Sequence, residues 1–342
     1  MRNRIKLICT VFLLVFITQV HSECDWISEV DKEYRLKNPV LYGKVKLANE
    51  KISSSNGRQS LLHEAELLLS DVINADNKYA PAYIQYARLM SKYGHQSGNR
   101  FSQGELKTKE QYLQRALSLS PGYDYALALM GFTKMFQGDL EAATDWYRAA
   151  EAAGTKYPYL GAQLAQLSTK KREYDKAIEI ATRSYEEHTN CPDIAVSIIN
   201  EIIFAYSAKG NDFEIVEYWQ KQRLELDPSI AWNWGDYSKF LLFDKNDYEA
   251  AIVAAEKALS LMNYKVGRRL LAAAMFAKWA EISEDPIRVD EAEKLFNQAK
   301  TIYPDNLNMA KTLSKDSDLL SVAKKIFKYD TELVLKNIGS AK

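Results

Sequence analysis

The chain has 342 residues, of which 47% are hydrophobic, and its 45 Lys and Arg residues balance its 45 Asp and Glu residues. This apolar content is enough to build a core, whereas a neutral chain lacks the basic excess that nucleic-acid binding requires. The chain has only 14 glycine and 8 proline residues. These are too few for a β-sandwich or barrel, which needs a turn roughly every 8–12 residues.

The first 22 residues have the pattern of a signal peptide. Basic residues precede an apolar run of 14 residues, Leu7–Val20, and Ser22 supplies a small residue before a cleavage site at Ser22–Glu23. The run is shorter than the roughly 20 residues that cross a membrane. We therefore expect a cleaved leader over residues 1–22, export to the periplasm or the extracellular space, and no membrane span afterwards.

Cleavage would leave a nearly neutral chain with two cysteines. Three of the 45 basic residues lie in the leader, which leaves 42 against 45 acidic ones, so no nucleic-acid partner is expected. Export permits a disulfide between Cys24 and Cys191, but the two are far apart in the chain, and the sequence favours two independent thiols. No Asn-x-Ser/Thr sequon occurs, which favours a bacterial envelope over a eukaryotic secretory pathway.

The N-terminal region after the leader is predicted to be helical. Leu41, Val45, Ala48 and Ile52 recur at helical spacing, and a polar stretch, 53–57, follows as a turn. We expect residues 23–60 to form a cap that closes one end of the fold.

A pattern with a period of 34 residues occupies the middle of the chain. Gly138–Ala150 aligns with Arg172–Ser184 at this spacing, so that Ala143 falls on Ala177, and a shift in the other direction places Ala150 on Ala116. Looser copies lie at His63–Asn77, Asn211–Pro228, Asn246–Leu261 and Val289–Pro304.

In these segments the chain resembles the tetratricopeptide repeats, whose period is 34 residues. The resemblance covers roughly residues 40–305. Small residues such as Ala143 and Ala177 stand where the two helices of a repeat touch, and Gly-Asp or Asn-Asp pairs close the turn between helices. The resemblance implies an all-α fold, a right-handed α-solenoid of about six helix pairs with helical caps at both ends.

Two insertions interrupt the period, and a different pattern follows it. Ser91–Lys107 adds about ten residues and Glu281–Arg288 adds a shorter stretch, both at the turn between paired helices. We expect the repeat region to span residues 61–305. Residues 306–342 are predicted to form C-terminal capping helices, over Met309–Leu313, Leu319–Phe327 and Glu332–Ile338.

Motifs for catalysis or cofactor binding are absent from the sequence. It has no glycine-rich nucleotide loop, no His-Glu-x-x-His and no Gly-x-Ser-x-Gly, and its histidines lack metal-ligand spacing. We expect no enzyme activity, no cofactor and no metal. An enzyme whose site lies in the Ser91–Lys107 insertion is an alternative that rests only on Tyr93, His95 and Arg100.

The resemblance also indicates a binding surface, because the first helix of each tetratricopeptide repeat lines the concave wall. Aromatic rings mixed with amides suit an extended peptide or an amphipathic helix, and they also suit a sugar ring. Packing between helices is an equally good explanation for any one of them. The candidate partner-binding residues are Tyr125, Phe132, Phe136, Tyr159, Gln166, Asn233 and Phe240.

Trp232 and Trp234 form a further candidate. Two side chains two positions apart cannot share one helix face, so at least one of these rings is expected to be exposed.

Taken together, the sequence predicts an exported, non-catalytic scaffold that binds a protein or peptide. The alternative is an accessory protein that grips polysaccharide chains during exopolysaccharide or envelope assembly.

Overall fold

The computed structural model describes residues 26–55, 58–95, 100–210, 212–315 and 319–339. The predicted leader, 1–22, lies outside these ranges. Contacts divide the chain into two units, unit 1 (Met1–Ala208) and unit 2 (Lys209–Lys342), which are described separately below. The described residues contain helices in an all-α arrangement, as predicted.

Unit 1 consists of helical hairpins in which each helix packs on the next in the chain: α2 on α3, α4 on α5, α6 on α7, and α8 on α9. Its helices are α1 (Glu29–Lys37), α2 (Pro39–Ser53), α3 (Gln59–Ala75), α4 (Ala80–Gly94), α5 (Gln103–Leu119), α6 (Asp124–Gln137), α7 (Leu140–Ala152), α8 (Leu160–Lys170), α9 (Tyr174–Glu187) and α10 (Pro192–Lys209).

Unit 2 repeats the arrangement, with α12 packed on α13, α14 on α15, and α16 on α17. Its helices are α11 (Phe213–Leu226), α12 (Ala231–Phe243), α13 (Tyr248–Leu261), α14 (Lys265–Ile282), α15 (Val289–Ile302), α16 (Asn306–Leu313) and α17 (Leu320–Gly339).

The second helix of each repeat buries three positions, which are four and then three residues apart. In α7 these are Ala143, Tyr147 and Ala150, each at most 1% exposed. Spacings of three and four keep the side chains on one helix face. At the first position six repeats bury a small or aliphatic residue, namely Ala65, Ala143, Ala177, Val216, Ala251 and Ala292. The corresponding residue of α5 is Lys109.

The turns between helices follow the predicted Gly-Asp and Asn-Asp pairs. Gly138 ends α6 with φ 91°, a left-handed conformation that glycine adopts without steric cost. The Asp139 side chain then accepts a hydrogen bond from the Ala142 backbone N–H at 3.0 Å, which caps α7. Asn246 and Asp247 repeat this turn before α13, with φ 55° at Asn246 and a 3.1 Å bond to the Ala250 N–H.

The predicted insertions both lie between paired helices. Ser91–Lys107 overlaps the connection between α4 and α5, where His95 and Phe101 form an isolated antiparallel bridge. Glu281–Arg288 overlaps the connection between α14 and α15. Insertions at these turns leave the contacts within each hairpin intact.

The terminal predictions are partly corrected. Leu41, Val45, Ala48 and Ile52 are buried on α2, as predicted. The C-terminal region forms two helices instead of three, because Leu320–Gly339 is one continuous helix of 20 residues. No Gly or Pro interrupts this segment, so nothing in the backbone requires a break. Among the described residues, no helix is long and apolar enough to span a membrane.

Candidate functional site

A cavity of about 470 Å³ opens on unit 1. Its walls come from the first helices of consecutive hairpins, α2, α4 and α6, together with the residues around the start of α8 and the segment before α1. Asp31 of α1 and Lys109 of α5 also line it. The first helices are the elements on which the sequence analysis predicts the partner-binding residues. We call it the α4 pocket; α4 contributes Gln85, Arg88, Ser91 and Lys92 to its lining.

Aromatic rings form one side of the α4 pocket. Trp26, ahead of α1, packs edge-on against Tyr125 with ring centroids 5.1 Å apart, and it lies 5.2 Å from Tyr157. Tyr125 and Tyr157 are themselves 4.9 Å apart, and Tyr159 lies 5.6 Å beyond Tyr157. This cluster gives the pocket a rigid apolar wall whose hydroxyl groups add polar edges.

Four cationic side chains also line the α4 pocket: Lys46, Arg88, Lys92 and Lys109. Arg88 donates hydrogen bonds to the Gln85 Oε1 at 2.9 Å and to the Ser53 Oγ at 3.2 Å. In the described ranges none of the four cations forms a salt bridge with a carboxylate. The pocket thus holds positive charge that the described protein does not neutralise.

Lys109 is the most deeply buried of these cations. It is 1% exposed, and its ammonium group lies 4.4 Å from the centroid of the Phe132 ring. Burial, and repulsion from Arg88, lower the pKa of Lys109 to about 7. A lysine with this pKa changes its charge near neutral pH.

Among the described residues, the only carboxylate that lines the pocket is that of Asp31 on α1. The Tyr123 hydroxyl donates a hydrogen bond to its Oδ1 at 2.6 Å. Burial raises the pKa of Asp31 to about 6, and the nearby Asp124 charge acts in the same direction. Asp31 is therefore engaged by a neutral donor and not by one of the cations.

Two buried oxygen atoms of the α4 pocket have no hydrogen-bond partner among the described residues. They are the Asn49 Oδ1 on α2 and the Gln163 Oε1 on α8. A buried acceptor without a donor costs about 1–3 kcal/mol. Each of these oxygens is a hydrogen-bond acceptor of a residue that lines the pocket.

Phe132 and Phe136 form a second aromatic cluster with Phe101. Phe132 and Phe136 lie 4.6 Å apart, and Phe101 lies 4.7 Å from Phe136 and 5.9 Å from Phe132. The Lys170 ammonium group lies 4.7 Å from the Phe136 ring. Phe132 lines the α4 pocket, whereas Phe136 packs against the insertion and is not part of its lining.

Gln166 belongs to a separate buried polar group. Its Nε2 donates a hydrogen bond to the Glu201 Oε1 at 3.0 Å. Burial raises the pKa of Glu201 to about 8, although Lys170 opposes the shift. The Glu201 Oε2 and the Tyr147 hydroxyl are buried without a hydrogen-bond partner in the described residues.

The two candidate residues of unit 2 lie in its interior. Phe240 is 5% exposed and its ring lies parallel to that of Tyr237, 6.5 Å away. Asn233 is also 5% exposed, and its backbone oxygen accepts a hydrogen bond from the buried Arg223 at 3.3 Å. Both residues contribute to packing within unit 2, and their predicted binding role stays a prediction.

The structure thus brings three of the seven candidate residues, Tyr125, Phe132 and Tyr159, to one pocket. The sequence analysis did not identify Trp26, Arg88 or Lys109. An alignment of the repeats could have identified Lys109, because a lysine occupies the position at which the other repeats have a small or aliphatic residue.

Trp232 is 51% exposed, which confirms that at least one of the paired tryptophans faces solvent. The Trp234 indole N–H donates instead to the Pro228 carbonyl at 2.9 Å. In the insertion, the Tyr93 hydroxyl donates to the Glu66 Oε2 at 3.1 Å, and His95 packs edge-on against Phe101 at 5.6 Å.

Cys191 is disulfide-bonded, which corrects the preference for two independent thiols. Its side chain is 6% exposed immediately before α10. The other cysteines of the chain are Cys9 and Cys24, and both lie outside the described residues. Separation along the sequence does not exclude a disulfide, because the distance between the two cysteines in the folded chain decides whether the bond forms.

Neither a profile of a known protein family nor a curated protein sequence matches the chain. Solved structures do match. The Cut9–Hcn1 hetero-tetramer of the APC/C has a TM-score of 0.54 at 16% identity, over 72% of this chain and 45% of that chain. PilF of Pseudomonas aeruginosa has a TM-score of 0.50 at 14% identity, over 71% of this chain and 100% of that chain.

Human IFIT1 with m7Gppp-AAAA gives a TM-score of 0.51 at 15% identity, over 79% of this chain and 64% of that chain. This chain thus aligns with less than two thirds of the matched Cut9 or IFIT1 chain. The matched proteins are tetratricopeptide-repeat proteins. At sequence identities this low, the similarity between this chain and these proteins concerns the fold alone. With its paired helices and its 34-residue register, this chain has the tetratricopeptide-repeat fold.

Proposed function

We propose that the protein is an exported scaffold that binds an extended segment of a partner protein in the α4 pocket and catalyses no reaction. The pocket carries the proposal, because it is open to solvent, walled by aromatic rings, and lined by unneutralised cations. The buried Asn49 and Gln163 oxygens add acceptors for the backbone N–H groups of an extended segment.

The fold alone does not determine which class of ligand the protein binds. The structural neighbours include Cut9 assembled with Hcn1 and IFIT1 with m7Gppp-AAAA, and one fold hosts many functions. The balanced charge of this chain favours a protein partner over nucleic acid, whose binding depends on a broad basic surface.

Site-specific photo-crosslinking tests this function. We would replace Tyr42, which lines the α4 pocket, with a photo-reactive phenylalanine analogue, and place the same group at Tyr218, which is 55% exposed in unit 2, as a control. The proposal predicts one stoichiometric protein adduct from position 42, mapped to an extended segment of the partner. Lys46→Glu should abolish the adduct, and Lys107→Glu, outside the pocket, should preserve it.

Adducts that are equal at both positions, or unchanged by Lys46→Glu, would exclude the α4 pocket as the binding site.

A polysaccharide is the second candidate. Aromatic rings such as those of Trp26 and Tyr157 stack on sugar rings, and the two acceptors without a partner suit sugar hydroxyl groups. A glycan array with wild type and Lys46→Glu would detect this class, and a saturable, Lys46-dependent glycan signal without a protein adduct would replace the protein assignment.

Export is part of the proposal. The leader pattern supports it, as does the disulfide at Cys191, since such bonds persist in oxidising compartments. Mass spectrometry of the protein from its native source, without reduction, should find an N-terminus at Glu23 and a peptide cross-linked from Cys191 to Cys24. An intact Met1 together with free thiols would contradict export.

A further inference from the structure

Lys109 occupies a position at which other repeats bury a smaller side chain. At the first buried position of the second helix, six repeats have alanine or valine, whereas α5 has a lysine that is 1% exposed. Lysine is almost never buried to this extent unless its charge is paired. Since alanine fills the equivalent position of most other hairpins, packing of α5 on α4 does not require an amine there.

The Lys109 amine has no counter-ion among the described residues. It makes no hydrogen bond or ion pair with them, and its Nζ lies 4.4 Å from the centroid of the Phe132 ring. Glu110, the next residue on α5, instead accepts hydrogen bonds from Lys134 at 2.8 Å and Gln137 at 2.9 Å, both on α6. Because no carboxylate stabilises the ammonium form, burial favours the neutral amine.

The charges around Lys109 act in the same direction. Burial, followed by the like charge of Arg88, lowers the pKa of Lys109 to about 7. The other charged groups that line the α4 pocket are Lys46 on α2, Lys92 on α4 and Asp31 on α1, and Asp31 accepts a hydrogen bond from the Tyr123 hydroxyl. Removal from water and a neighbouring cation are the two conditions that make a lysine nucleophilic.

The cavity gives a small molecule access to this amine. Lys109 lines the α4 pocket, whose volume of about 470 Å³ lies within the range of small-molecule sites, roughly 300–1,000 Å³. Phe132, which contacts the amine, lines the same cavity, as do Trp26 and Tyr125 of its aromatic wall. A ligand that reaches the amine therefore meets the Phe132 ring, which favours a flat aromatic ligand.

We propose that Lys109 forms an imine with a small aromatic aldehyde that enters the α4 pocket. The inference goes beyond the proposed function, because it adds a covalent ligand to a pocket that binds its protein partner without covalent chemistry. It does not depend on which macromolecule the pocket binds.

The reaction needs no other reactant. The electron pair of the neutral Nζ forms a bond to the carbonyl carbon, and a proton moves from the nitrogen to the oxygen, which gives a carbinolamine. The carbinolamine then loses its hydroxyl group together with the second proton of the nitrogen, as water, and the C=N bond forms. One amine and one aldehyde thus give one imine and one water.

Borohydride trapping on the full chain tests the inference. The protein is incubated with benzaldehyde at a series of pH values and the imine is then reduced to a stable benzyl amine. We expect one benzyl group per chain, which peptide mass spectrometry should locate on Lys109. The yield should reach half of its plateau at about pH 7, where about half of the Lys109 amines are neutral. A lysine with the ordinary pKa of 10.5 is then neutral in only about one chain in three thousand.

Three variants and a second aldehyde provide the controls. Lys109→Arg keeps a positive charge but forms no imine, and Lys109→Ala carries the residue of most other repeats, so both should lose the adduct. Lys107→Met, at an exposed position on the same helix, should be labelled as wild type. Circular dichroism would establish that the variants are folded, and the mapping in wild type does not depend on them. Propanal lacks a ring, so half-labelling should need about two to ten times more propanal than benzaldehyde, after correction for the reactivity of each with free butylamine.

Three results would overturn the inference. Benzyl groups spread over exposed lysines, with Lys109 unmodified, would show that the buried amine is not the reactive one. A yield that shows no break near pH 7 and still rises at about pH 9 would have the same meaning. Equal labelling by benzaldehyde and propanal would contradict the aromatic class of the ligand. The photo-crosslinking experiment on the pocket would stand in each case.

Discussion

At the scale of single residues, burial shifts the pKa values of Lys109 and Glu201, two ionisable side chains of unit 1, to near neutrality. Lys109 has a lowered pKa of about 7, and Glu201 has a raised pKa of about 8. Both shifts arise mainly from burial, which disfavours the charged form of either group. Their effects on stability therefore run in opposite directions with pH.

We predict that Lys109 makes the protein more stable as the pH rises from about 7 to 9. Over this range the unfolded lysine, with an ordinary pKa of 10.5, binds more protons than the folded one. The contribution rises by up to about 1.4 kcal/mol per pH unit. Urea unfolding should show that Lys109→Met removes this slope and that Lys107→Met retains it. An unchanged slope in Lys109→Met would contradict the low pKa.

Glu201 should have the reverse effect. The folded carboxyl, with a pKa of about 8, binds more protons than the unfolded one, whose ordinary value is 4.5, so its contribution to stability falls as the pH rises between these values. Glu201→Gln keeps the hydrogen-bonding shape without the charge and should flatten this part of the profile. Glu186→Gln, an exposed change on α9, should leave the profile as in wild type.

The sequence was a good guide to some residues of the site and a poor one to others. Tyr125, Phe132 and Tyr159 follow from the repeat register, because first-helix positions recur at a fixed spacing and face the same surface. Trp26 could not be predicted, since it precedes the repeats and reaches the pocket only through tertiary packing. Phe240 was hard to place because an aromatic residue on a first helix can serve either the surface or the core.

At the scale of helices, the hairpin of α6 and α7 depends on close approach at Gly131. A Cβ atom at this position would lie 2.7 Å from the Tyr147 ring, and that ring is only 1% exposed. Neither the glycine nor the tyrosine can move easily within a closely packed hairpin.

We predict that Gly131→Ala lowers the free energy of unfolding by about 1–3 kcal/mol through overpacking. Gly43→Ala is the matched control, because it lies within α2 and an added Cβ there meets nothing within 4 Å. That change should stabilise the helix by about 0.5–1 kcal/mol. Chemical denaturation of the two variants checks both signs, and a loss of stability in each would refute the packing explanation.

Helix boundaries followed the sequence where a specific turn residue marks them. Gly138 ends α6 and Asp139 caps α7, and before α13 the left-handed Asn246 precedes the capping residue Asp247. The segment around Thr331 has no such residue, and the expected break there does not occur within α17. Amphipathic periodicity alone does not define an end, whereas a left-handed residue followed by a capping side chain does.

At the scale of the whole molecule, the covalent bond at Cys191 constrains unit 1 in addition to its hydrophobic packing. We predict that reduction, or Cys191→Ser, lowers the free energy of unfolding by about 2–4 kcal/mol, since a cross-link restricts the unfolded chain. Urea titrations with and without reductant should show a lower midpoint for reduced wild type. Cys191→Ser should not respond to reductant, and identical midpoints for oxidised and reduced wild type would contradict a stabilising bond.

Trp26 gives the α4 pocket an optical reporter of its own occupancy. Its indole contacts Tyr125 and Tyr157 in the pocket wall, so a ligand that displaces water or rearranges these rings alters its emission. The chain has 6 tryptophans, and the difference spectrum between wild type and Trp26→Phe isolates this one. Ligand screening by fluorescence is therefore feasible without a label, and a purification tag belongs at the C-terminus, away from the residues that precede α1.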